Sequence, residues 1–124
     1  MSASQVLDLG GGIAAGADLS AVQYAAVKLS AAGTIVVCAA ATDICIGFVQ
    51  NAPASGQPAS VVHSGRGFAR AGGAIAAVGT RLMAAAAGEV VDWTTGNPIV
   101  GISLAVAADN SITEILYLLT PDVI

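Results

Sequence analysis

The chain has 124 residues, a formal net charge of −4, and 10% charged residues against 56% hydrophobic ones. That length fits one domain with a core of its own, and its four cations, Lys28, Arg66, Arg70 and Arg81, are too few for a surface that tracks nucleic-acid phosphates. The mean hydropathy of +0.81 looks membrane-like, but Ala supplies roughly a fifth of the residues, and the nearly uncharged run from Ala31 to Gln50 holds Asp43, Gly33 and Gly47, so no membrane span is expected.

In chain order, residues 1–13 read as an extended arm and residues 14–124 as a single β-rich domain. The start, MSASQVLDLGGG, has neither the basic nor the apolar region of a signal peptide, so cytoplasmic synthesis without export is expected. Gly10, Gly11 and Gly12 make the arm costly to order on its own, and its VLDL core has the alternation needed to add a strand to a partner's sheet edge. Asp18 to Leu29 is two-sided: Asp18 could cap a helix, while Gln23 to Leu29 supports a strand, the reading favoured here. The turn SAAG, with Gly33 suited to positive φ, then joins that strand to another over Thr34 to Ala39.

The stretch from Asp43 to Phe68 reads as strand, loop, strand. Ile44 to Val49 is β-branched, aromatic and apolar; Asn51 to Pro58 is a Pro- and Gly-bearing loop; Ala59 to His63 is β-like again. Further strands are expected at Gly67 to Ala71, Arg81 to Ala85, Glu89 to Trp93, Pro98 to Val106 and Ile112 to Leu119, with a loop or single helical turn around Ala74 to Val78. The apolar-Gly-apolar steps at Ile46-Gly47-Phe48 and Val100-Gly101-Ile102, each followed by a turn and a strand, form a weak pseudo-repeat of a hairpin. The fold class is all-β: a compact barrel-like, tulip-like or sandwich domain with short hairpins and at most one or two short helical turns.

Chemistry-bearing residues do not converge. Gly65, Gly67 and Gly72 miss the spacing of a dinucleotide loop, and a lone His63 without a nucleophile elbow is a weak catalytic candidate. The acids Asp8, Asp18, Asp43, Glu89, Asp92, Asp109, Glu114 and Asp122 are scattered, mostly beside turns. Cys38 and Cys45 read as buried apolar thiols, which a tight turn at Ala41-Thr42 would set opposite each other across a hairpin. No catalytic, cofactor-binding or metal-ligating residue is assigned.

Three stretches carry a resemblance: ADLSAVQYAAVKLSAAGTIVVCAAATD; IGFVQNAPASGQPASVVHSGRGFARAGGAIAAVGTRLM; and GEVVDWTTGNPIVGISLAVAADNSITEILYLL. With the Gly-bearing steps at Gly47, Gly101 and Gly65 to Gly67, they resemble the capsid decoration, or cement, proteins of tailed bacteriophages, over about Asp18 to Leu119. The resemblance implies a non-enzymatic β-rich protein of the virion, on the outer face of the head, that stabilises the shell by clamping neighbouring major capsid subunits. It also implies a homo-oligomer, a trimer ahead of a dimer, with no nucleic acid or membrane as partner. The capsid-interface candidates are Gln5, Val6, Leu7, Asp8 and Leu9. The alternative is a small β-barrel ligand-binding module or a hydrolase using His63.

Overall fold

The computed structural model describes residues 7–8 and 13–120. The fold is all-β, with nine strands among the described residues: β1 (Leu7–Asp8), β2 (Ala26–Leu29), β3 (Ile35–Val37), β4 (Gly47–Val49), β5 (Val61–Arg70), β6 (Arg81–Ala84), β7 (Val90–Asp92), β8 (Ile99–Ser103) and β9 (Ile112–Thr120). They form one sheet in the order β3-β2-β4-β5-β9-β8-β6-β7, with every neighbouring pair antiparallel and β1 added to β5. The one helical feature among the described residues is a 3-10 turn at Ala86–Gly88. Residues 74–78 take the loop alternative, anchored where Ile75 and Ala107 exchange backbone hydrogen bonds of 2.8 and 2.9 Å.

The sheet curls into a half-barrel, and its far ends meet at the 3-10 turn. The Gly88 amide donates to the Cys38 carbonyl at 2.8 Å, and a Cβ on Gly88 would stand 2.7 Å from both the Ala25 methyl and the Ala26 carbonyl oxygen. Only a residue without a side chain lets the β6–β7 connection lie against β2 at that distance.

Strand alternation divides the apolar residues between two cores. Ala26, Phe48, Val62, Ala69, Leu82, Val90, Ile115 and Tyr117 point into the curl. Their neighbours Ala25, Val27, Val49 and Val61 point the other way, into a second cluster with Ala15, Leu19, Ile35 and Ala59. That second face is covered by residues 13–25 and by the loop before β5. Asp18 therefore caps no helix: its carboxylate accepts from the Ser20 amide at 3.0 Å in a turn, Leu19 is buried with its amide on the Pro53 carbonyl, and Tyr24 donates to Val49. Packing over β2 and β4 overrides the local helix signal, and the strand begins only at Ala26.

Two sequence expectations change. The strands read at Ala59 to His63 and Gly67 to Ala71 are one ten-residue strand, β5. Gly65 and Gly67 lie inside it, where Gly67 makes room for the Tyr117 ring; a Cβ there would come within 2.5 Å of that ring. The segment from Cys38 to Ile46 is also not a hairpin turn, because β3 and β4 do not pair with each other but flank β2 on opposite sides. The connection passes from one edge of β2 to the other, held by the Asp43 carboxylate. It accepts from the Ala39 and Ala40 amides at 2.7 and 3.1 Å and from Lys28 at 3.0 Å.

Candidate interaction surface

The long pairing of β5 with β9 sets Ser64 opposite Leu118, Arg66 opposite Leu116, Phe68 opposite Glu114 and Arg70 opposite Ile112. On the other side of β9, Leu116 faces Ile102 of β8, which in turn faces Arg81 of β6. All of these side chains point away from the curl, because the intervening Thr113, Ile115 and Tyr117 are buried inside it. The outward face of β5–β9–β8 therefore presents Phe68, Ile112, Leu116 and Leu118, with Leu104 at the end of β8, each 37–46% exposed.

One ion pair lies within this face. Arg66 makes a two-pronged contact with Glu114, Nε to Oε2 and Nη2 to Oε1, the latter at 3.0 Å. That hydrogen bonding holds the Glu114 carboxyl below its ordinary range and raises the guanidinium. The other three cations are also engaged. Lys28 pairs with Asp43, Arg70 Nε donates to the Gln23 carbonyl at 2.8 Å, and Arg81 lies 5.6 Å from the centroid of the Trp93 ring.

Beneath the face, Tyr117 fixes β9 against β5. Its ring stacks on Phe48 with centroids 4.3 Å apart and planes 7° apart, its hydroxyl donates to the Phe68 carbonyl, and it accepts from Gln50 Nε2 at 3.0 Å. Burial pushes this phenol above its usual range. On the outer side Tyr24 packs on Phe68 with ring centroids 5.5 Å apart.

Of the arm candidates, Leu7 and Asp8 form β1 and pair with Ser64 and Val62 of β5, whereas Gln5, Val6 and Leu9 lie outside the described residues. The register slips between the two pairs, so His63 sits at the irregularity opposite the arm. Half-buried there, His63 makes no hydrogen bond to a carboxylate or hydroxyl among the described residues. Cys38 and Cys45 are free and buried; the Cys45 thiol donates to the Gly47 carbonyl at 3.2 Å, and the neighbouring thiol together with burial pushes Cys38 up. Among the described residues no three metal-ligating side chains gather.

The exposed apolar face was not among the sequence candidates, although a signal for it exists. In ITEILYLL the residues at alternate positions are apolar on both faces of the strand, a pattern of a strand meant to be covered twice. No protein-family model matches the chain, and no curated protein matches its sequence. Among solved structures, the N base of the head fiber gp8.5 in bacteriophage phi29 is similar, with a TM-score of 0.66 and 17% sequence identity, covering 86% of this chain and 90% of that one. At that identity the likeness establishes a shared fold.

Proposed function

We propose that the chain is a non-enzymatic structural protein of a tailed-phage head, carried on the outer surface of the virion. There it binds the major capsid protein and stabilises the assembled shell by clamping neighbouring subunits. The observation that carries this reading is the match in fold to a phage head fiber base over nearly the whole of both chains. The exposed apolar side chains and the chain's sparse charge support it, since a protein that spends its working life among neighbours needs little charged surface.

The arm, Gln5 to Leu9, is the proposed contact to the capsid. β1 pairs with β5, and a strand of a capsid subunit added along its other edge would extend the same sheet. The protein works as a homo-oligomer, with a trimer favoured over a dimer. A hydrolytic or ligand-binding role through His63 would need a carboxylate or hydroxyl bonded to that imidazole, a contact not found among the described residues.

A protein that binds the assembled shell and not its free subunits stabilises the shell by mass action. Heating heads with and without the purified protein is the test. A rise in the temperature of head disruption supports the proposal, and an unchanged temperature at saturating protein refutes it.

A further inference from the structure

We propose that Cys38 and Cys45 are a disulfide-forming pair, and that their oxidation staples the crossover that carries the chain from one edge of β2 to the other. The two residues stand at the ends of the connection between β3 and β4, and both thiols are free and buried. The connection itself is open to solvent, with Ala39, Ala40, Thr42 and Ile44 exposed. The buried cysteines thus sit at the foot of an exposed loop.

Backbone hydrogen bonds hold the two ends of this loop on adjacent residues of β2. The Cys38 amide donates to the Ala26 carbonyl at 2.9 Å, and the Ile46 amide, next to Cys45, donates to the Val27 carbonyl at 2.9 Å. Cys38 is fixed from its other side as well, where its carbonyl accepts from the Gly88 amide at 2.8 Å. Both cysteines pack in one cluster with Ala26, whose methyl takes little of the space beside them. The sulfurs are direct neighbours there: hydrogen bonding between them holds the Cys45 thiol down and the Cys38 thiol up. Among the described residues no third metal-ligating side chain joins the two thiols, so their shared chemistry is with each other.

Cys45 is the thiol that reacts first. It keeps 7% exposure against 0% for Cys38, and Ile44 beside it is 58% exposed, so opening of the loop uncovers Cys45 before its partner. With a small disulfide such as oxidised glutathione as the oxidant, Cys45 loses its proton to water and its thiolate attacks one glutathione sulfur. A mixed disulfide forms and a glutathione thiolate leaves. The Cys38 thiolate, its proton also passed to water, then attacks the Cys45 sulfur, closing the internal bond and expelling the second glutathione thiolate. The protein gives up two electrons and two protons, and one oxidised glutathione becomes two reduced ones. The bridge closes a short loop in the unfolded chain and so favours the folded one. Disulfides are rare in a reducing cytoplasm and persist outside it, so the pair is a thiol pair in the first setting and a staple in the second.

The proposal stands on the two thiols and not on head attachment, so its test uses the full chain alone and either reading can fail without the other. The folded protein is incubated with oxidised glutathione, quenched in acid, unfolded and alkylated, and its intact mass is measured. The expected product is a single chain lighter by two hydrogens that takes up no alkylating reagent. Its Tm should lie roughly 5–10 °C above that of the reduced chain, as a staple closing a loop of this length predicts. Cys38→Ala should stop at a glutathione adduct on Cys45, and Cys45→Ala should react far more slowly, since its remaining thiol is fully buried. If either variant does not fold, the products and Tm of the parent decide the matter. Both thiols still alkylated after prolonged oxidation, chains cross-linked to one another, or an oxidised chain that melts no higher than the reduced one overturns the assignment.

Discussion

Replacing Gly67 with alanine tests the packing that joins β5 to β9. The added Cβ would stand 2.5 Å from both Cζ and Oη of Tyr117, a separation at which something must move. Gly67 does not have a positive φ, so the substitution adds volume without backbone strain. The ring has nowhere to retreat. Phe48 is stacked behind it, its hydroxyl is bonded to Phe68 and Gln50, and its backbone is paired with Gly65 on one side and Gly101 on the other. Overpacking costs about 1–3 kcal/mol, the stack contributes about 0.5–1.5 kcal/mol, and each hydrogen bond about 1 kcal/mol. These shares overlap, so a loss of about 3 kcal/mol is expected, equivalent to roughly 12 °C in Tm for a domain of this size. Thermal and denaturant unfolding followed by circular dichroism give both quantities. Gly73→Ala is the control: its Cβ would meet only the Val91 side chain, at 4.0 Å, and its effect should stay within about 0.5 kcal/mol. In a Tyr117→Leu background the Gly67→Ala penalty should shrink by more than half, since the two positions are coupled. A penalty below about 1 kcal/mol in the parent, or one that is unchanged in that background, would refute the reasoning.

Two further outcomes follow from the anchors described above. The Ala39 amide, then Lys28, hold the Asp43 carboxyl below its ordinary value, so its contribution is complete above the unfolded pKa of about 3.9 and is lost as pH falls through the lower folded value. Asp43→Asn should therefore flatten the acid limb of the stability curve below about pH 4, and an acid limb of unaltered slope would contradict that role. Deleting residues 1–12 removes β1, whose described residues Leu7 and Asp8 pair with β5. Circular dichroism should be unchanged while head binding is severely weakened; an unfolded deletion variant would make the arm an integral strand, and undiminished binding would dismiss it as the capsid contact.

The strands were legible wherever β-branched and aromatic residues cluster between Gly, Pro or Asn, as at Ile35–Val37, Gly47–Val49 and Ile112–Thr120. The SAAG turn was equally clear, and Gly33 takes the positive φ of 80° that it requires. Pairing partners were not legible, because local turn signals do not say which strands meet. The Ala39–Thr42 segment looks like a hairpin turn, yet it leads the chain across β2, and the covering segment before β2 is too rich in Ala to declare itself. Glycines misled for a related reason. Gly65 falls in the break read between His63 and Gly67, whereas one long strand runs through both glycines and Gly67 lets it pass the buried tyrosine. The pseudo-repeat has a comparable basis: side chains at Gly47 and Gly101 would strike the Val62 and Leu116 carbonyls at 2.7 Å. Which apolar residues stay exposed depends on β9 being inner on one face and uncovered on the other, and that depends on the whole sheet order.

Sedimentation with phage heads tests the central claim most directly. Purified protein is mixed with shells assembled from the major capsid protein of the phage proposed to carry it, with free capsid subunits in a parallel sample, and the mixtures are centrifuged. Head attachment predicts saturable co-sedimentation at a fixed number of copies per shell, with little binding to free subunits, because the proposed clamp would span neighbouring subunits. Protein that stays in the supernatant at every concentration, or that binds free subunits as well as it binds shells, would contradict the account.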